Sequence, residues 1–149
     1  MSNIQTFQRI RDIRDREKQK SQKVHKEAMD TFEKQAALLY EALRKKEEAV
    51  DRFNQTLSER TVEANAFVQH QHYINRLEER IEDLQPVVQK TRLEMQHSQA
   101  KLSEAHIEVK KFDTLIENKE TKQLNWIKRE ENRNMDELSM QQYLNFQNR

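Results

Sequence analysis

From Phe67 to Ile116 every seventh residue is apolar: Phe67, Ile74, Ile81, Val88, Met95, Leu102, Val109 and Ile116. A companion row at His70, Leu77, Leu84, Thr91, Ser98, Ala105 and Phe112 is apolar at four of its seven positions. A 3.5-residue period held over about fifty residues keeps one stripe facing a partner only when the helix supercoils, so it marks a coiled-coil seam. Glycine is absent and proline occurs once, at Pro86, in a chain of 149 residues. Tight turns, strand connections and phosphate-cradling loops draw on both residues, so the fold class is all-α with very few turns.

Upstream of the repeat, Ser2-Asn3-Ile4-Gln5 fits a capping box, in which serine and glutamine side chains satisfy orphan backbone donors at the start of a helix. Apolar residues then stand at Ile4, Phe7, Ile10 and Ile13. From Ala36 they alternate three and four apart through Leu39, Leu43, Lys46, Val50, Phe53 and Leu57, with Lys46 the polar exception. The pattern lapses at Ser58-Glu59-Arg60-Thr61, where Ser58 or Thr61 can cap a second helix. The expected architecture is a single coiled-coil domain over 1–149, an antiparallel two-helix coiled-coil hairpin. Helix 1 spans about 3–57, the turn about 58–61 and a longer C-terminal helix 2 about 62–145.

A turn centred near residue 60 pairs Leu57 with Val62, Leu43 with Leu77, Phe32 with Val88 and Ile10 with Val109. Arg14 to Lys23, which holds no apolar residue, then faces the weakest part of the second seam, around His97, Ser98, Gln99, Lys101 and Ser103. Local splaying is expected there, because neither helix offers apolar area to bury. Pro86 removes one backbone hydrogen bond inside the repeat, so it either kinks a continuous helix 2 or breaks it.

At 1.5 Å per residue the two arms measure roughly 80 Å and 120 Å. Beyond about Glu117 the second helix has no internal partner, yet Trp126, Ile127, Met135, Leu138, Met140, Tyr143 and Leu144 lie there. Such residues suit a groove or ring in another protein; a frayed tail or a seam closed by dimerisation are the alternatives.

Charged residues make up 36% of the chain and hydrophobic ones 34%, with a net charge of +1. Ordered at helical spacing, that balance describes the solvated exterior of a thin structure. A local basic excess between Arg9 and Lys26 is the one feature that fits an acidic protein or nucleic-acid surface; in so polar a rod a solvated charged face is the preferred explanation, and no nucleic-acid partner is expected. Without cysteine there is no disulfide, thiol nucleophile or thiolate metal site. The carboxylates Glu78, Glu79, Glu82 and Asp83 sit among Arg76 and Arg80 at the spacing of surface ion pairs, and a thin hairpin has no water-excluding cleft to perturb them. His70 and His72, two apart, do not share a helix face. No enzymatic activity, cofactor, metal or small-molecule substrate is expected. No run of about 18 apolar residues occurs, so a cytoplasmic protein is expected.

Three strings resemble the flagellar type III export protein FliJ family: Phe7 to Lys20 (FQRIRDIRDREKQK), Ile107 to Asn118 (IEVKKFDTLIEN) and Asn134 to Tyr143 (NMDELSMQQY). The resemblance implies an antiparallel coiled coil like the stalk subunit of rotary ATPases. It implies three partners: the hexameric flagellar export ATPase, the cytoplasmic part of the membrane-embedded export gate, and export chaperones that it escorts. The protein would be a monomer alone, at the cytoplasmic face of the membrane at the flagellar base. Carried onto this sequence, the ATPase-ring contact falls on Arg9, Arg11, Trp126, Lys128, Arg129, Met135, Asp136, Glu137 and Leu138. The export-gate contact falls on Leu39, Leu43, Lys46, Val50, Tyr73, Leu77, Arg80 and Leu84. A generic coiled-coil tether or dimerisation protein, and an injectisome stalk homologue, are the alternative readings.

Overall fold

A computed structural model describes residues 2–59 and 63–148, with Ser2 described by its backbone alone. The capping role of Ser2, the cap at Thr61 and the pairing of Leu57 with Val62 lie outside the described residues. Two helices account for the fold, α1 (Ser2–Glu59) and α2 (Ala64–Gln147), of 58 and 84 residues. They pack against each other as an antiparallel coiled-coil hairpin with the longer helix C-terminal, and no strand occurs among the described residues. Their helicity follows from a sequence without glycine and from ion pairs one turn apart, such as Lys45 with Glu41 and Arg44 with Glu48.

Ser58 and Glu59, assigned from the sequence to the turn, are the last residues of α1. Ser58 Oγ donates to the Gln55 carbonyl at 2.8 Å, so it bonds back into its own helix instead of capping the next. Pro86 lies inside an unbroken α2, which removes the alternative of a broken helix. Both Pro86 and Glu82, whose carbonyl loses its amide partner, are exposed, and water can take the place of the missing bond.

The helices contribute to two compact units, residues 1–19 with 104–149 and residues 20–103. In the second unit Phe53 meets Phe67 and His70, Lys46 meets Glu78, Phe32 meets Arg92 and His25 meets Ser98. Numbers rise on α1 as they fall on α2, which is the antiparallel order. Ala42, Ala49, Ile74, Leu77, Ile81 and Val88 form the buried core, and Thr91 and Ser98 are buried with them. The α2 side is the row read from the repeat.

The α1 side differs from expectation. Its inward positions are His25, Phe32, Leu39, Lys46 and Phe53, with Ala28, Gln35, Ala42, Ala49 and Thr56. Leu43 is 43% exposed and Leu57 47%, so Leu43 does not meet Leu77. Lys46 with Glu78 and His25 with Ser98 set the register three to four residues later than a turn at residue 60 would. Size complementarity explains the choice: Ala49 packs in one cluster with Ile74, and the same register sets Ala42 level with Ile81 and Gln35 level with Val88. Large residues on α2 fill the space left by small ones on α1, as close packing requires.

At the edge of the zone expected to splay, the second unit holds a polar contact in its seam. Ser98 is 4% exposed, its Oγ donates to the Met95 carbonyl at 2.7 Å, and His25 Nδ1 lies 3.0 Å from the same oxygen. With the hydroxyl proton directed at Met95, His25 is the donor of that pair.

In the first unit Phe7 packs on Phe112 with ring centroids 6.3 Å apart, and Lys119 Nζ stands 5.2 Å from the Phe7 ring. Val109 is buried, while Ile13 is exposed and outside the seam. Arg11, Arg14 and Lys18 occupy inward positions of α1 instead. The register sets Arg14, not Ile10, level with Val109.

Candidate partner-binding surfaces

Within the first unit, Lys119 and Gln123 are the last α2 residues half-buried in the helical seam, so the unpartnered stretch starts about six residues later than Glu117. From Leu124 to Asn148 every described residue but Glu130 is exposed. The backbone remains helical to Gln147, with Asn148 N–H donating to the Leu144 carbonyl at 3.1 Å. Trp126 is 61% exposed, Met135 65% and Leu138 55%.

Of these apolar side chains Trp126, Met140 and Leu144 continue the seven-residue rows of the seam, whereas Leu124, Ile127, Met135 and Leu138 do not. Continuing the seam's phase leads from Trp126 through Glu130, Arg133 and Glu137 to Met140 and Leu144, and its charged members pair, with Arg133 reaching Glu130 and Glu137 at 3.8 Å each. Leu124, Ile127, Met135 and Leu138 instead recur at three, eleven and fourteen residues, the spacing of one face of a nearly straight helix. Trp126, Met140 and Leu144 lie on the opposite face. Sequence reasoning missed Leu124 and Phe146; the eleven-residue spacing from Leu124 to Met135 is the signal that finds the first.

Lys128, Arg129 and Asp136 are exposed along this stretch, and so is Arg9 on α1. Arg11 is engaged inside the unit: its Nε donates to Asp113 Oδ1 at 2.8 Å. That hydrogen bond, and then the charge of Asp113, raise the Arg11 pKa above the usual arginine value.

In the second unit the expected gate residues are divided between two grooves. Leu43, Lys46 and Val50 line one with Tyr40, Arg44, Glu47 and Asp51. Tyr73, Leu77 and Arg80 line another, with Leu38, Glu41, Ala42 and Lys45 from α1. Leu77 belongs to the buried core, and Val50 packs on the edge of it. Leu39 and Leu84 are half-buried seam residues. The α1 residues that accompany Tyr73 and Arg80 are therefore Leu38 and Lys45, which the expected register did not select. His70 stacks beside Phe53 at 5.4 Å in the seam. No group of three metal-ligating side chains converges among the described residues, and none of their helices is long and apolar enough to cross a membrane.

A flagellar FliJ protein of Bacillus subtilis (strain 168) is 28% identical over 142 residues, covering 93% of this chain and 93% of that one. No solved structure matches. The family description "Flagellar FliJ protein" matches residues 3–148, the whole length of both helices but for Ser2. A two-helix hairpin with that match along it places the chain in the flagellar FliJ protein family.

Proposed function

We propose that this protein is a non-enzymatic component of the flagellar type III export apparatus, a central stalk that binds the export ATPase ring and links it to the export gate while escorting export chaperones. Family membership supports the flagellar, export-related part of this reading. One observation carries the rest: α2 continues as a helix well past its last contact with α1 and presents Leu124, Ile127, Met135 and Leu138 with nothing of its own to cover them. A hexameric ring offers the surrounding surface that a single projecting helix needs, and helix-in-groove recognition uses side chains at this spacing. Arg9, Lys128, Arg129 and Asp136 border the same end and suit polar contacts with ring loops; Trp126 and Glu137 complete the set. Tyr73 and Arg80, flanked by Leu38 and Lys45, form the gate-facing surface in this reading. The setting is cytoplasmic, against the membrane at the flagellar base.

ATP hydrolysis by the purified cognate export ATPase tests the reading. The full chain is expected to stimulate turnover, and a chain truncated after Gln123, which keeps every α1–α2 contact described here, is expected not to. Stimulation by both forms, or by neither, overturns the role of the projecting helix.

A further inference from the structure

Between Met29 and Leu57, α1 carries two overlapping seams. A central row of Phe32, Leu39, Lys46 and Phe53 is flanked on one side by Ala28, Gln35, Ala42, Ala49 and Thr56, the inward positions of the structure. On the other side it is flanked by Met29, Ala36, Leu43, Val50 and Leu57, of which Met29, Leu43 and Leu57 are exposed. Either flank, combined with the central row, gives the three-four alternation of a coiled-coil face. The outer flank is the more apolar, and its earlier members Gln8, Asp15 and Gln22 are polar, so the doubling is confined to this stretch.

The seam of α2 fits the second face as well as the first. Moving α1 by three residues in the direction of its C-terminus brings Leu43 level with Leu77, Leu39 with Ile81, Ala36 with Leu84 and Phe32 with Val88, apolar against apolar at each height. The displacement is about 4.5 Å along the helix, with a rotation of about 50°, half the angle between successive residues. Phe53 already touches both of its alternative neighbours. Its ring centroid lies 5.4 Å from that of His70, level with it in the observed register, and 5.3 Å from that of Phe67, level with it in the other. The observed register is held by the packing of Ala49 with Ile74, the Lys46–Glu78 pair at 3.4 Å and the His25–Ser98 contact at 3.0 Å. An ion pair this exposed adds little. The second register gains apolar cover for Met29 and Leu43.

We infer that the second unit is a two-register hairpin, in which α1 slides and turns on α2 so that the row of Met29, Leu43 and Val50 is either presented to solvent or closed into the seam. A molecule that binds this row meets it only in the observed register, which makes the slide a means of showing and withdrawing that surface. The sliding itself is a property of the hairpin and holds whether or not the stalk reading does.

The full chain has no cysteine, so introduced pairs report the register without background. Ala49→Cys with Ile74→Cys reports the observed register and Leu43→Cys with Leu77→Cys the second; Leu43→Cys with Glu79→Cys, on the outer face of α2, is the control. Under mild oxidation at low protein concentration the first two pairs are expected to close within one chain and the control to stay open. Ala36→Glu, which sets a charge against Leu84 in the second seam but only at the edge of the first, should abolish the bridge between positions 43 and 77 and spare that between 49 and 74. Ala42→Lys with Ala49→Lys acts in the opposite direction, because a long charged side chain does not fit against Ile81 or Ile74 in the observed register. Spin labels at Asp30→Cys and Gln69→Cys, both exposed, should then lie about 4.5 Å closer, with the helical circular dichroism retained. Absence of the bridge between 43 and 77, or its persistence with Ala36→Glu, overturns the inference. An unchanged label distance overturns it too, as does loss of helicity in the double lysine variant, which would mean that α1 has no second seam to occupy. A product found only as a linked dimer assigns Leu43 to a contact between two copies and replaces the proposal.

Discussion

Arg14 occupies an inward position of α1 in the first unit, where a coiled coil ordinarily places an apolar side chain. Its Nε is buried and has no hydrogen-bond partner, while Nη1 reaches Glu17 at 3.1 and 3.3 Å on the same helix. Arg14→Leu removes the unsatisfied donor, relieving about 1–3 kcal/mol. Full burial of leucine is worth about 1.5–3 kcal/mol. The site is incompletely covered, with the Arg14 side chain 39% exposed, and the arginine stem already shields part of the seam. The added apolar gain is therefore about 1 kcal/mol at most. Against these stands an exposed one-turn ion pair worth about 0.3–0.5 kcal/mol. The net effect is a stabilisation of about 1–3 kcal/mol, or a rise in Tm of about 2–12 °C at this chain length. Thermal unfolding followed by circular dichroism measures it, with Arg16→Leu, at an exposed position of α1, as the control. A Tm that falls, or a rise no larger than that of Arg16→Leu, would refute the placement of Arg14 in the seam.

Leu77→Ala should destabilise the protein by about 2–3 kcal/mol in chemical denaturation, because Leu77 lies in the core, whereas Leu43→Ala should change stability by under about 1 kcal/mol. Comparable losses for the pair would restore the register expected from a turn at residue 60. Pro86→Ala should raise stability by about 1–3 kcal/mol by returning a backbone donor to an unbroken helix, and a decrease would mean that the proline bend is needed for packing. The Arg11–Asp113 pair has a defined pH dependence. Since the folded-state pKa of Arg11 is raised, its contribution is fully present below the unfolded value and is lost only as pH climbs through the raised one. The stability difference between wild type and Asp113→Asn should thus stay constant from about pH 6 to pH 9, and a slope in that window would count against it.

The α2 seam could be read from sequence because its members are large and apolar at almost every repeat, as in Ile74, Ile81 and Val88. The α1 seam could not. Its inward row of Ala28, Gln35, Ala42, Ala49 and Thr56 is small or polar, while the neighbouring row of Leu43, Val50 and Leu57 carries the conspicuous hydrophobicity. Periodicity registers side-chain size, whereas packing registers complementarity between two helices, and small residues on α1 are what large ones on α2 need. The same slip divided the expected gate residues between two grooves. Around Ser98 the missing apolar residues were legible, but not the His25 hydrogen bond, which joins positions 73 apart in sequence.

The distribution of apolar surface now has a consistent physical account. In the second unit α1 holds more hydrophobic positions than one neighbour can cover, and in the first it holds Arg11, Arg14 and Lys18 where such positions would be useful. On the projecting end of α2 the seam rows become partly charged, at Glu130, Arg133 and Glu137, and a second apolar face appears at Leu124, Ile127, Met135 and Leu138. A lone helix of about two dozen residues is marginal in water even with favourable residues, and this one exposes Trp126, Met135 and Leu138 without any core. Its conformation is therefore supported by the seam that feeds into it through Lys119 and Gln123, and under the proposed function also by the partner surface that would cover Leu124, Ile127, Met135 and Leu138. The added face at three-, eleven- and fourteen-residue spacing, on the side of α2 opposite the seam rows, is what separates the two tasks. The seven-residue row wraps α2 around α1, and the straight row presents a face that α1 does not reach.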